Sequence, residues 1–212
     1  SQVFVVSSFR RAAAIVAEVA EPFEVEEMSN GGGLGVPYVA DERAPSITDW
    51  GEANVAASRE AGVTARVTAE PGRSFVAAAA VTLYEVGTIK DIPGVRTYVS
   101  VDGGMSDNPR PVLYGSGYET FLPRAVDADR PRTVTVVGKH CESGDVLVRD
   151  ATVAADLAVG DILGTAVTGA YGHSMGSNYN KVLRPPVVFA SGGDARLVVR
   201  RESYDDLVRL EV

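Results

Sequence analysis

Residues 1–73 alternate strand-like and helix-like segments, and that rhythm constrains the fold more than any other feature of the chain. The run Ser1-Gln2-Val3-Phe4-Val5-Val6 reads as a strand. Over residues 8–20, Phe9, Ala12, Ala13, Val16 and Val19 fall on one helical face, with Ser8 as cap and Pro22 as stop. Phe23 to Ser29 reads as a short strand running into Asn30-Gly31-Gly32-Gly33-Leu34-Gly35. Ser46 and Asp49 have capping-box spacing ahead of a helix from Ile47 to Ala61, which Gly62 ends. Val63, Ala65, Val67 and Ala69 alternate as a third strand, stopped by Glu70-Pro71-Gly72-Arg73. A β-α-β-α-β order means parallel strands joined by crossover helices, as in a doubly wound sheet or a (β/α)8 barrel.

The pattern changes after Arg73. Strand-prone runs follow at Phe75 to Ile89, Val95 to Val101, Thr133 to Lys139, Asp145 to Val148, Ile162 to Val167, Val187 to Ala190 and Arg196 to Arg201. Turn residues recur between them, as in an all-β module of short strands. Ala77 to Ala80 is a poor strand former inside the first run. Tyr204 to Leu210 reads as a short helix capped by Ser203. The expected boundary lies near Ser74, with an α/β domain over residues 1–74 and an all-β domain over 75–212.

Charge narrows the partners. With 28 acidic and 20 basic residues the net charge is −8, which argues against nucleic acid and anionic membranes but not against a local basic pocket. There is no apolar run of membrane-spanning length, and the apolar opening soon meets Arg10-Arg11, unlike a secretory signal. Cys141 is the single cysteine, so no internal disulfide forms, and a reducing compartment such as the cytoplasm is favoured. The chain opens without Met inside a strand-like run, so upstream sequence is expected.

Chemistry-bearing residues gather at polar corners. Gly31-Gly32-Gly33-Leu34-Gly35 follows a strand, where glycines let backbone N–H groups approach an anion closely. The spacing departs from G-x-G-x-x-G, because Val36 takes the last position, and a plain turn competes with the anion site. Glu70-Pro71-Gly72-Arg73 comes one crossover later, again at a strand's carboxyl end. In a (β/α)8 barrel the loops after the last two strands commonly form a phosphate site, and Arg73 adds a fork suited to phosphate or carboxylate. Considered together, the two loops favour a phosphate site over a junction turn with a surface arginine.

Farther on, Pro109 and Pro111 restrict the backbone around Arg110, with Tyr114 close behind. That suits a carboxylate clamp, and an ordinary rigid loop is the alternative. His140-Cys141-Glu142 ends a strand, so His140 and Cys141 point to opposite faces and make a poor dyad. The turn Ser143-Gly144-Asp145 breaks the alternation and lets Cys141 and Glu142 reach one site. A thiol at neutral pH is mostly protonated and can donate, although a lone cysteine also serves as a small core hydrophobe. Only His140 and His173 offer imidazoles, without ligand spacing, so no metal is expected. Thr168 to Met175 and Ser177 to Asn180 are dense in hydroxyls and amides; Tyr171 suits a place against a flat cofactor or its phosphate, and Tyr171 and Tyr179 alternatively suit the rim of the β-module.

Taken in order, these corners resemble the diaminopimelate decarboxylases, fold-type III pyridoxal-phosphate enzymes. The segments that carry the resemblance are Ser1 to Phe4, Gly31 to Gly35, Glu70 to Arg73, Asp102 to Tyr114, His140 to Asp145, Gly169 to Asn180 and Arg200 to Tyr204. It implies α/β plus all-β architecture: the C-terminal part of a TIM-like (β/α)8 barrel of the alanine-racemase type, followed by a β-sandwich or β-barrel domain. It implies that Gly32, Gly33, Glu70, Pro71, Gly72 and Arg73 bind the phosphate of pyridoxal 5'-phosphate. Arg73, Arg110 and Tyr114 would hold substrate carboxylates, and Tyr171 would touch both cofactor and substrate. Cys141 would be the proton donor and Glu142 a substrate contact, both reaching into the neighbouring subunit of a homodimer. The implied reaction is decarboxylation of meso-2,6-diaminopimelate to L-lysine, the last step of lysine biosynthesis.

The family's cofactor-bonding lysine lies in the amino-terminal half of the barrel and has no counterpart in Lys90, Lys139 or Lys181. A histidine that stacks on the cofactor ring in the family would sit just before Ser1. The sequence is therefore expected to be the carboxyl-terminal portion of such an enzyme, inactive and poorly soluble alone. Rival readings are an ornithine or arginine decarboxylase, which would want a carboxylate where Arg110 stands, and a non-catalytic binding or regulatory module on the same scaffold.

Overall fold

The computed structural model describes residues 2–212, so the expected strand at Ser1 lies partly outside the described residues. The chain forms two compact units, the first ending at Ala80 and the second running from Val81 to Val212. In the first unit, α1 spans Val6–Ala20. It begins earlier than its apparent cap: Val5 is the capping position, with extended backbone, and Ser8 lies inside the first turn. The strand expected ahead of α1 is reduced to one parallel bridge between Val3 and Leu34, because the helix takes over at Val6.

The next strand, β1, is only Glu27–Ser29. Amide bonds from Phe23 to the Ala20 carbonyl and from Val25 to the Phe23 carbonyl keep the preceding residues in turns, so Phe23 does not open the strand. Helix α2 spans Ile47–Glu60, and the Ser46 side chain accepts from the Asp49 amide at 3.0 Å, as the capping spacing anticipated. Strand β2, Arg66–Thr68, pairs in parallel with β1, placing Met28 opposite Val67. Ala13 and Ala17 of α1 and Ala53 and Ala57 of α2 are buried, and their small side chains let the two helices approach closely. Phe9 and Trp50 close this core edge to face, with centroids 5.7 Å apart, packed with Leu34 and Val3.

Residues Phe75 to Ala80 are not strand. Helix α3, Gly72–Val76, continues into a 3-10 turn at Ala77–Ala79. Alanine favours helix over strand, and extended structure resumes only at Thr82. This helical extension carries the limit of the first unit beyond Ser74.

In the second unit, β3 (Thr82–Ile92), β4 (Arg96–Val101), α4 (Arg110–Tyr114), β5 (Thr120–Phe121), β6 (Arg132–Val137), β7 (Val146–Val153) and β8 (Ile162–Thr165) follow in order. The six strands form one mixed sheet in the order β5-β8-β3-β4-β6-β7. Only β4 and β6 pair in parallel, and the other neighbours are antiparallel. The edge strands β5 and β7 lie against each other, so the sheet curls nearly closed. Val86, Val99, Val134, Val136, Leu147, Val153 and Leu163 fill its interior. A separate hairpin, β9 (Val187–Ser191) with β10 (Asp194–Val199), turns through Gly192-Gly193, both at positive φ. Helix α5, Tyr204–Val208, starts at a capping box between Ser203 and Asp206.

Trp50 anchors the first core, so Trp50→Ala should cost about 3–5 kcal/mol, the usual range for removing a buried large aromatic. A falling urea midpoint at unchanged slope is the expected result. A loss under about 1 kcal/mol would contradict the placement of Trp50 in that core.

Candidate functional site

The first unit brings two of the polar corners together. The loop after β1 and the loop after β2 are stitched by the Asn30 amide on the Thr68 carbonyl at 3.0 Å and the Glu70 amide on the Gly31 carbonyl at 2.8 Å. The Ser29 hydroxyl adds a bond to Glu70 Oε1 at 2.7 Å, and the Asn30 side-chain amide ties the loop to Ser58 of α2 at 3.0 Å. Gly32 has no room for a side chain, because a Cβ there would lie 2.2 Å from the Glu70 carbonyl oxygen. The amides of Gly32 and Gly33 donate to nothing among the described residues. Pro71 closes an inverse γ-turn, with the Gly72 amide on the Glu70 carbonyl at 2.8 Å, and this turn starts α3.

Arg73 is buried in α3. Its Nη1 donates to the Tyr38 hydroxyl at 2.6 Å, and its Cζ lies 5.6 Å from the centre of the Tyr38 ring. Tyr38 sits in the proline-containing loop before α2, and periodicity gives no signal for it. Two uncommitted glycine amides, a crossing with no space for a Cβ and a fixed guanidinium are the donor set that a phosphate ester requires. The corner therefore fits the phosphate end of pyridoxal phosphate.

In the second unit, Arg110 opens α4 between Pro109 and Pro111 and is buried. Its Nε donates to the Tyr118 hydroxyl at 3.0 Å and its Nη2 to Ser116 Oγ at 2.9 Å. The Tyr114 and Tyr171 rings, both exposed, centre 5.8 Å and 6.0 Å from its Cζ. Arg110, Tyr114 and Tyr171 thus form one cluster, a preset cation flanked by open aromatic rings. Tyr171 takes a left-handed backbone at φ 59, a conformation that costs free energy outside glycine. Tyr118 and Ser116 carry no motif signal in the sequence, although they lie within a few residues of Tyr114.

The thiol-bearing turn follows β6. His140 is buried, whereas Cys141 and Glu142 are exposed together, with Cys141 at φ 57. The left-handed backbone at Cys141 breaks strand alternation and sends both side chains outward while His140 goes inward. The buried Asp145 carboxylate fixes the turn. One oxygen accepts from the His140 amide at 2.9 Å and the other from the Met105 amide at 2.7 Å. Cβ atoms added at Gly138 or Gly104 would collide with that carboxylate, at 2.2 Å and 2.7 Å. Glu142 Oε1 accepts from the Tyr179 hydroxyl at 2.8 Å.

Behind Met105, the buried Tyr84 hydroxyl donates to Asp107 at 2.5 Å. Burial pushes the Asp107 carboxyl above its ordinary value, against the bonds from Tyr84 and Gly104 that pull it down. Burial, followed by the charge of Asp107, pushes the Tyr84 phenol well up. Among the described residues no group of three or more His, Cys, Asp or Glu is placed to hold a metal ion, and no helix is long and apolar enough to cross a membrane.

Comparison with known proteins gives one consistent family. Residues 4–169 match the model of the pyridoxal-dependent decarboxylase C-terminal sheet domain. A diaminopimelate decarboxylase of Synechocystis is 48% identical over 188 residues, covering 86% of this chain and 40% of that protein. One of Mycobacterium tuberculosis is 42% identical over 231 residues, covering 100% of this chain and 52% of that protein. The chain therefore spans about half the length of the curated relatives it matches. Among solved structures, diaminopimelate decarboxylase from M. jannaschii, including a complex with L-lysine, superposes at a TM-score of 0.90 and 34% identity over 100% of this chain and 50% of that one. A lysine/ornithine decarboxylase from Vibrio vulnificus shares the fold at a TM-score of 0.71 and 20% identity, over 85% of this chain and 49% of that one. The chain therefore belongs to the pyridoxal-dependent decarboxylase family and carries its C-terminal sheet domain.

Proposed function

We propose that the chain acts within a diaminopimelate decarboxylase, converting meso-2,6-diaminopimelate to L-lysine in the cytoplasm. On this reading the first unit is the end of a (β/α)8 barrel, and the second is the family's β-sandwich or β-barrel domain. The observation that carries the reading is the convergence of Tyr114 and Tyr171 on the buried Arg110 guanidinium. A cation fixed there reads a distal carboxylate, which diaminopimelate has and ornithine lacks. That same cation repels the distal ammonium group of ornithine and the guanidinium group of arginine, so those substrates rank second. An exposed thiol on a strained turn favours an enzyme over a cofactor-free binding module.

When bound, pyridoxal phosphate supplies the electron sink that lets carbon dioxide leave. Gly32, Gly33 and the Glu70-Pro71-Gly72-Arg73 corner hold its phosphate. Arg73, Arg110 and Tyr114 hold substrate carboxylates, and Tyr171 lies against both cofactor and substrate. Cys141 donates its Sγ proton to the carbon that carbon dioxide has left, and Glu142 contacts the distal ammonium group. Both side chains stand on an exposed turn, in keeping with service to the site of a neighbouring subunit in a homodimer.

Two outcomes are expected of the holoenzyme made from the full reading frame. Cys141→Ala should lower kcat by on the order of 100-fold or more, the usual contribution of a positioned acid, with pyridoxal-phosphate affinity nearly unchanged. Equal losses in both would remove Cys141 from the proton-donor role. Gly32→Ala should force the two loops apart and weaken pyridoxal-phosphate binding by about tenfold or more, ~1.4 kcal/mol, in an absorbance titration. An unchanged Kd would take the cofactor phosphate away from this corner.

A further inference from the structure

The proposed reaction leaves one polar stretch without a role, Ser177-Asn178-Tyr179-Asn180. It grips the thiol-bearing turn at several points. The Tyr179 hydroxyl donates to Glu142 Oε1 at 2.8 Å. The Tyr179 ring stands edge-on to the buried His140 ring, with centroids 5.8 Å apart and planes at 86°. The Asn180 side-chain amide donates to the His140 carbonyl at 2.9 Å. Neither ring nitrogen of His140 has a hydrogen-bond partner among the described residues, so packing against Tyr179 helps hold the imidazole.

Making these contacts requires an unusual backbone. Asn180 and Lys181 are both left-handed, at φ 52 and 57, a region that non-glycine residues seldom occupy. The stretch is anchored at its start by the Ser177 amide on the Ser106 carbonyl at 2.8 Å. The Asn178 side chain holds it further, donating to Glu202 Oε2 at 2.5 Å and to the Val182 carbonyl at 3.1 Å. A segment tied at both ends and bent against its own preference presents Tyr179 to Glu142 in one arrangement.

We infer that Tyr179 is a positioning residue for substrate recognition: its hydroxyl fixes one oxygen of Glu142 and leaves the other to receive the distal ammonium group of the substrate. The inference rests on the reading of Glu142 as a substrate contact. Oε2 of Glu142 accepts no hydrogen bond among the described residues. A glutamate on an exposed turn samples several rotamers, and binding a ligand through it costs their entropy. A charge-assisted bond from a phenol removes part of that freedom beforehand. The bond to Glu142 in turn pushes the Tyr179 phenol above its ordinary value, so the hydroxyl stays protonated and remains the donor.

The test is a double-mutant cycle on the holoenzyme, with an NMR titration beside it. Tyr179→Phe keeps the ring against His140 and removes only the hydroxyl. It should raise KM for meso-diaminopimelate about tenfold with kcat within about twofold, the pattern of lost binding rather than lost chemistry. In a Glu142→Ala background the same change should move KM by less than about twofold, because the partner is gone. In 13C-tyrosine-labelled protein, the Tyr179 resonance, assigned by its loss in Tyr179→Phe, should titrate at higher pH in wild type than in Glu142→Ala. Identical titrations would show that the contact is absent in solution and overturn the inference whatever the kinetics. A KM effect that persists undiminished without Glu142, or equal losses in kcat and kcat/KM, would overturn the positioning role. A wild-type holoenzyme that leaves diaminopimelate untouched would overturn the functional reading first and this role with it, an outcome separate from the other two.

Discussion

The buried carboxylate of Asp145 is the interaction on which the second unit's functional face depends. With one oxygen on the His140 amide and the other on the Met105 amide, it joins the thiol-bearing turn to the loop that leads into Arg110. A carboxylate buried this deeply is tolerable only when its lone pairs are met, and here backbone amides meet them. The glycines at 104 and 138 leave the space it fills. One carboxylate thereby fixes the placing of the Cys141 turn relative to the Arg110 loop.

The first unit uses a different device. Parallel pairing of β1 and β2 brings two loops to the same strand ends, and a missing Cβ at Gly32 lets one backbone lie on the other. Backbone amides left over by that crossing are fixed donors with little entropy to lose, which is how an anion is held without a large net positive charge. The overall charge of −8 is compatible with such a site, because the positive potential is local to Arg73 and the amides.

Much of this was legible in the sequence. Ser46 and Asp49 marked the start of α2, and the glycine and Glu-Pro-Gly-Arg corners marked two loops that the fold stitches together, because local hydrogen bonding dictates residue type at such places. What escaped was set by tertiary context. Ser8 looks like a cap, yet the helix begins at Val6, where no side chain caps it. Ala77 to Ala79 sits in a strand-like hydrophobic run but turns helical, as alanine's own preference dictates. Tyr38, Tyr118 and Tyr179 hold Arg73, Arg110 and Glu142 through phenol hydroxyls, and such pairings across 35, 8 and 37 residues leave no periodic trace. The strain at Cys141 and Tyr171 was equally hidden, since neither residue type announces a left-handed backbone.

In the proposed homodimer, Cys141 of one subunit would complete the cofactor cradle of another, and subunit complementation distinguishes this from a site built within one subunit. Holoenzyme bearing Cys141→Ala and holoenzyme bearing Gly32→Val are each impaired, and a mixed dimer restores one intact site if the parts are shared across the interface. Dissociating and reassembling equal amounts of the two should recover decarboxylation to roughly a quarter of the wild-type rate. A rate that never rises above those of the two parent variants would contradict the claim and return both lesions to a single subunit's site.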